Sequence, residues 1–211
     1  MRYVISFSVG FWLMVLALFL ASCGSDNKPT FYPAPTPVPR NSVPKVDEAV
    51  KEYVSGFKAI CDSRPSSVCL KRWPRIEYIT IVKDEAIRTD AAKDNWVGVC
   101  WEYTDANHQL VKANVQILDN DGRGNPWDAD SLKGIIYHEL GHCALNLEHE
   151  DSPYTNPKMM NSFLYSYNIY ISNWEKMVEY EFSVQSLALT EEEVLGEIVY
   201  VTAHPIYREE L

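Results

Sequence analysis

The residues with the clearest chemistry are three histidines in one short segment, His138, His142 and His149. The first two are four residues apart in a proline-free segment that favours helix, and at about 100° per residue both imidazoles fall on one face. His149 follows a predicted helix end at Asn146, so the chain can turn back toward the other two. Glu139 lies beside the first histidine, where it can exchange protons with a bound water. Three nitrogen ligands and one open position are typical of a catalytic zinc site, so we expect these histidines to bind Zn²⁺ and Glu139 to be the general base.

A helix with incidental histidines is the alternative to a metal site. The preceding segment, Ser131–Tyr137, is apolar on the side that carries the histidines, and Leu140 and Cys143 extend the predicted buried surface. Neighbouring buried imidazoles without a metal would each need separate polar partners, which is costly. The metal site is therefore the favoured interpretation.

The segment resembles the zinc-binding signature of the metzincin metallopeptidases, His-Glu-x-x-His-x-x-Gly-x-x-His, which is followed by a turn built on methionine. Asn146 stands for the glycine, with His149 three residues later as in the family. Asparagine tolerates the left-handed conformation that this helix end needs. The chain departs from the pattern because three residues, rather than two, separate His142 from Asn146. In the alternative register Glu148 is the third ligand, but Leu145 would then adopt a costly left-handed conformation, so His149 is favoured.

A methionine pair follows the third histidine by about ten residues, in Lys158–Ser162. This segment resembles the methionine turn that lies beneath the metal in metzincins, with Met160 the favoured methionine and Met159 the alternative. Without the upstream histidines, the pair would be interpreted as core packing. Some metzincins carry a further tyrosine ligand two residues after this methionine, where this chain has Ser162. A tyrosine ligand would have to come from Tyr154, Tyr165 or Tyr167, and the sequence does not distinguish among them.

The N-terminus predicts where this chemistry takes place. An apolar run, Tyr3–Leu20, ends in Leu-Ala-Ser-Cys, which resembles a bacterial lipoprotein box. The resemblance implies a signal peptide at 1–22, cleaved before Cys23, and a lipid on the Cys23 sulfur. An uncleaved membrane anchor is the alternative, since the run is long enough to span a bilayer. We therefore expect a protein that is lipid-anchored in the bacterial cell envelope, in the outer membrane if the cell has two.

Composition divides the rest of the chain into two parts. Six prolines crowd the stretch from Gly24 to Pro44, so residues 23–44 are expected to form an extended linker. The remainder, 45–211, has the length of one domain and enough apolar residues for a core. The net charge of −10 offers no basic patch for nucleic acid, so nucleic-acid binding is not expected.

The order of predicted elements indicates an α+β domain. Apolar spacing predicts helices, and runs rich in β-branched and aromatic residues predict strands. The expected helices are Asp47–Cys61, Asp130–Leu145, Ser172–Glu181 and Glu191–Val199, and the expected strands are Ile76–Lys83, Trp96–Tyr103 and Val111–Leu118. The resemblance implies a zincin, a metzincin-like catalytic domain with a small twisted sheet, an active-site helix, a methionine turn and a C-terminal helix. It also implies that Val111–Leu118 is the edge strand that pairs with an extended substrate.

Four cysteines follow Cys23, and an oxidising compartment favours their pairing. Cys61 and Cys69 flank a short loop that can close, so we expect a disulfide there. Cys100 and Cys143 either form a second disulfide or remain two buried thiols.

Three other features are not expected to bind metal. The loop Asp119–Asp128 does not fit an EF-hand, because Arg123 takes a ligand position and no glutamate closes the loop, so it is interpreted as a turn. His108 and His204 have no sequence neighbours that suggest ligands, and we interpret both as surface or packing residues.

The residues and the resemblance together imply a zinc-dependent endopeptidase whose partners are protein or peptide substrates and, through its lipid, a membrane. Two alternatives differ from it in class. One is a zincin whose third ligand is a later glutamate, Glu175, Glu179 or Glu181. The other is a non-catalytic surface lipoprotein that uses the scaffold for binding, with zinc as a structural element.

Overall fold

The computed structural model describes residues 43–63, 67–83, 95–184 and 200–208. Within these residues, five strands form one mixed sheet, and four α-helices accompany it. The strands are β1 (Lys45–Val46), β2 (Ile76–Val82), β3 (Trp96–Thr104), β4 (Leu110–Leu118) and β5 (Tyr200–Tyr207). The helices are α1 (Lys51–Ser63), α2 (Ser67–Arg72), α3 (Ala129–Leu145) and α4 (Tyr167–Val184). The predicted α+β class is confirmed.

The sheet order is β1-β2-β4-β3-β5. β2 runs parallel to β1 and β4, whereas β3 runs antiparallel to both of its neighbours, β4 and β5. The expectation that Val111–Leu118 is an edge strand is therefore wrong, because β4 lies between β2 and β3. A tight turn at Asp105, whose carboxylate accepts hydrogen bonds from the Asn107 and Gln109 N–H groups at 2.8 and 3.0 Å, pairs β3 with one side of β4. β2 pairs with the other side of β4.

Helix α3 is the central helix of the domain. The Asp128 carboxylate caps its first turn by accepting from the Ser131 N–H at 2.8 Å. Every residue from Gly134 to Leu145 is buried, since the helix packs against β3, β4 and β5 and is also contacted by α1, α2 and α4. A Cβ on Gly134 would lie 2.5 Å from the ring of Tyr170 in α4, so glycine allows this close packing.

Two disulfides brace this arrangement. Cys61 and Cys69 are joined, as the sequence predicts, and link α1 to α2. Cys100 is joined to Cys143, which links β3 to α3 across a separation of 43 residues. The question that the sequence left open is therefore answered in favour of a second disulfide, and this bridge adjoins His142.

The predicted helices and strands before residue 184 lie within a few residues of the observed ones, while α4 begins earlier than expected. The strand β5 was not predicted. The signal peptide, Cys23, nearly all of the linker and the helix expected at Glu191–Val199 lie outside the described residues. The described residues belong to one of two units of the chain, Ala34–Leu211. No helix among them is both long and apolar enough to cross a membrane.

Candidate metal centre

His138, His142 and His149 come together at one point, with a ligand atom of each within 4.8 Å of the others. The Nε2 atom of His138 lies 3.1 Å from Nε2 of His142 and 3.3 Å from Nε2 of His149. Two nitrogens that each sit about 2.0–2.1 Å from one tetrahedral ion are about 3.3 Å apart. The spacing of these imidazoles therefore fits ligands of a single metal ion.

The second nitrogen of two of the rings is held by the backbone. His138 Nδ1 lies 2.8 Å from the Met159 carbonyl oxygen, and His142 Nδ1 lies 2.6 Å from that of Leu147. The ring of His149 faces the Pro205 carbonyl. When Nδ1 donates its proton to a carbonyl, the lone pair of Nε2 is left for a metal.

The electrostatics favour neutral imidazoles, which are the form that binds metal. Burial lowers the pKa of His138 to about 3, and the neighbouring His149 adds to the shift. Burial also lowers the pKa of His142 and of His149, and nearby histidines contribute in both cases. Donor type, ring orientation and protonation state thus all agree with a three-histidine metal site.

The end of α3 explains why His149 and not Glu148 completes the cluster. Asn146 adopts a left-handed conformation with φ 56°, and its N–H donates to the His142 carbonyl at 3.0 Å. The Leu147 N–H then bonds to the Gly141 carbonyl at 3.1 Å, which closes the helix end and redirects the chain. His149 points back to the cluster, while the side chain of Glu148 is 82% exposed.

The turn that contains Met159 and Met160 lies against α3. Both side chains are buried, and a Cβ on Gly141 would overlap the sulfur of Met160. The Met159 carbonyl holds the His138 ring, and the Met160 carbonyl accepts from the Glu150 N–H at 2.7 Å. The expected methionine segment is therefore in contact with the helix that carries two of the histidines, with Met160 packed against Gly141.

None of the later glutamates belongs to the histidine cluster. The Glu181 carboxylate accepts a hydrogen bond from the Met160 N–H at 3.3 Å, while Glu175 and Glu179 are exposed. Of the three tyrosines considered, Tyr165 binds the Ser152 hydroxyl through its own at 2.9 Å, and the others are half exposed.

Glu139 is fully buried beneath the sheet. Its carboxylate oxygens face the backbone N–H groups of Cys100 and Ile206, without a hydrogen bond of normal geometry to any described residue. A Cβ on Gly98 would lie 2.8 Å from its Oε1 atom, so β3 passes very close to this carboxylate. Burial raises the pKa of Glu139 well above its ordinary value.

His204 is a packing residue, one of the two kinds expected from the sequence, but its place beside the histidine cluster was not predicted. Its ring stacks on His142 with centroids 4.8 Å apart, and it lies 3.9 Å from Glu102 and 3.8 Å from Glu148. Glu102 is in turn paired with Arg72, whose guanidinium also donates to the His142 and Cys143 carbonyls at 3.3 and 3.0 Å.

Burial acts on both members of the Arg72–Glu102 pair. It lowers the pKa of Arg72 and raises the pKa of Glu102, while their mutual attraction opposes both shifts.

The sequence signal that could have located His204 is the run Tyr200–Tyr207, which contains it. This run is rich in the residues that favour strands, and its proline is typical of an edge strand.

Comparison with protein-family models, with curated proteins and with solved structures finds no match for this chain. The case for a metal site therefore rests on the geometry of the three-histidine cluster in this mixed α+β fold.

Proposed function

We propose that this protein is a zinc-dependent endopeptidase of the metzincin type, held at the bacterial cell envelope by a lipid on Cys23. The observation that carries the proposal is the convergence of three histidines. His138 Nε2 lies 3.1 and 3.3 Å from the Nε2 atoms of His142 and His149, as expected for ligands of one tetrahedral ion, and Glu139 is on the same helix as His138 and His142. The left-handed residue Asn146 and the buried Met160 add support. Asn146 precedes His149 by three residues, as the glycine of the metzincin signature precedes its third histidine, although it follows His142 one residue later than in that signature.

In peptide hydrolysis the bound zinc and Glu139 would have different roles. Bound zinc supplies Lewis acidity to the scissile carbonyl and lowers the pKa of water. The Glu139 carboxylate would take a proton from the attacking water and give it to the leaving amine, so that hydroxide is added to the carbonyl carbon as the C–N bond breaks. Its raised pKa suits this role, because it makes the carboxylate a stronger base than an exposed glutamate.

A non-catalytic lipoprotein with a structural metal is the second candidate, and one observation favours it. His138, His142 and Glu139 are between 0 and 1% exposed, and His149 alone of the three histidines is partly exposed, so most of the site is shielded from solvent. A closed site is what a structural zinc requires, whereas a catalytic zinc needs an accessible position.

Replacement of Glu139 by Gln tests the proposal. Gln has nearly the same size but cannot take a proton, so the variant should keep its zinc and its fold. We expect its hydrolysis of a broad peptide library to fall by about 10²–10⁴-fold. Metal analysis and circular dichroism provide the control. Equal turnover by a zinc-loaded Glu139→Gln variant would show that the mechanism is wrong, and zinc-loaded wild type without any turnover would favour the structural site.

A further inference from the structure

Strand β5 has main-chain partners on both sides at its C-terminal end. Along its length it pairs antiparallel with β3. On its other side, the Tyr207 N–H donates to the Ser162 carbonyl at 2.8 Å, and the Leu164 N–H donates to the Tyr207 carbonyl at 2.8 Å. Phe163 and Tyr207 form a parallel bridge. The end of β5 therefore lies in a groove between β3 and the segment that follows the methionine pair.

Three consecutive residues of β5 contact the metal centre. The ring of His204 stacks on His142 with centroids 4.8 Å apart, and the Pro205 carbonyl faces the ring of His149. The Ile206 N–H faces the Glu139 carboxylate, and the side chain of Ile206 is fully buried. β5 thus lies beside His142, His149 and Glu139. Of the residues proposed for hydrolysis, His138 is the one that these contacts do not include.

This position shields part of the site. Glu139 and His142 are 0 and 1% exposed, and β5 is in contact with both. An extended peptide would find the needed main-chain partners in the groove that β5 fills, on β3 and on Ser162–Leu164.

The residues of β5 are buried to different extents along the strand, which favours release of β5 from its exposed end. Tyr200, Val201 and Thr202 are exposed, and full burial is confined to Pro205 and Ile206 near the other end. Pro205 has no N–H and contributes no donor to the ladder. The groove leads past Tyr207 to an open cleft of about 760 Å³, lined by Tyr154, Phe163 and Tyr165 among others, where a peptide could continue.

We propose that β5 is an internal occupant of the peptide groove, so that the described conformation is the closed form of the site and β5 must leave before a substrate enters. This inference rests on the proposed peptidase function. It also reconciles a catalytic set of residues with a buried metal centre.

Two variants of the full chain test the role of β5, one by locking the strand in place and the other by loosening it. Tyr103 and Val201 are directly opposed on β3 and β5, away from the metal centre. Opposed residues have Cα separations of about 4.5–5.5 Å, so Tyr103→Cys with Val201→Cys can form a disulfide that locks β5. Ile206→Ala removes the buried anchor and loosens the strand. Ile79→Ala, in β2, is the matched control, because it truncates an equally buried isoleucine outside β5.

Peptide-library hydrolysis and the rate of zinc loss to EDTA are measured for each variant. The locked protein should lose activity and release zinc more slowly, and mild reductant should restore both, with wild type treated in the same way to control for the native disulfides. Ile206→Ala should release zinc about tenfold faster than Ile79→Ala, or more, and should cleave faster than wild type. Peptide mapping verifies which cysteines have paired.

The outcomes separate this inference from the proposed function. A locked protein that cleaves at the wild-type rate would overturn the role of β5 and leave the peptidase function standing. If no variant cleaves, the peptidase function fails, and zinc release then decides the inference. Slower release from the locked protein and faster release from Ile206→Ala support closure by β5, while equal release rates in all variants overturn it.

Discussion

His149 and Glu148 are adjacent in the chain, yet their side chains serve the site very differently. The His149 ring reaches His138 at 3.3 Å, whereas Glu148 points outward and approaches His204. This difference follows from the left-handed turn at Asn146, which sets the direction in which the chain leaves α3.

Replacement of His149 by Ala should therefore weaken zinc binding severely, because it removes one of three nitrogen ligands from the site. Glu148→Ala is the matched control and should retain one zinc per chain. Competition with a chromophoric zinc chelator measures both affinities. Full zinc occupancy of the His149 variant at equal chelator would contradict the ligand assignment.

Glu181 makes stability depend on pH. Burial raises its pKa from the ordinary 4.5 to about 7, although the N–H groups of Met159 and Met160 oppose the shift. The folded state then binds this proton more tightly than the unfolded state does. The resulting stabilisation is complete below about pH 4.5 and is lost as the pH rises toward about 7.

Glu181→Gln should remove this loss, since Gln keeps a carbonyl oxygen for the Met160 N–H and carries no charge. Relative to wild type, the variant should gain on the order of 1–3 kcal/mol of unfolding free energy between pH 5 and pH 8. Urea denaturation at the two pH values provides the measurement. Glu179→Gln, an exposed position on the same helix, should change nothing. A parallel pH dependence for wild type and the Glu181 variant would rule the explanation out.

At the scale of elements, α3 is held by its cap, by its packing and by the Cys100–Cys143 disulfide. This bridge joins the helix to β3 next to His142, so it constrains the element that carries two histidines. The Cys61–Cys69 bridge closes a much shorter loop between α1 and α2.

Loss of the longer bridge should cost more stability. In the loop-entropy model, closing a 43-residue separation contributes about 4 kcal/mol, and closing an 8-residue separation contributes about 2.5 kcal/mol. The double variant Cys100→Ala with Cys143→Ala should therefore unfold at lower urea than Cys61→Ala with Cys69→Ala. The reverse order would show that local packing outweighs loop entropy here. Zinc content, measured alongside, reports whether the bridge also holds His142 in place.

At the scale of the whole molecule, we propose that the N-terminus joins the peptidase domain to the envelope. The Leu-Ala-Ser-Cys sequence and the proline-rich stretch after it predict a lipid at Cys23 and a spacer that separates the domain from the bilayer.

Intact-mass measurement of membrane-extracted protein should show a chain that begins at Cys23 and carries acyl groups. Cys23→Ser should remove the lipid and release the protein from the membrane fraction. An unmodified N-terminus at Met1 would instead indicate the uncleaved anchor.

The features that the sequence alone determined are local ones. His138 and His142 share a face because of helical periodicity, and Asn146 ends the helix that carries them in the left-handed conformation. Each depends on residues within one or two turns of each other, so each could be predicted without knowledge of the remaining chain. The three candidate ligands belong to this class because all lie within a dozen residues.

Tertiary structure alone decided the surroundings of the site. The placement of β4 inside the sheet, the Cys100–Cys143 pairing, the Arg72–Glu102 ion pair and the contact of His204 with His142 join segments that are far apart in the chain. Strand pairing carries little local signal, because a run such as Tyr200–Tyr207 can pair with any compatible edge and the packing of the whole core selects which one. That selection placed β5 against His142 and Glu139, two residues that no local pattern connects to it.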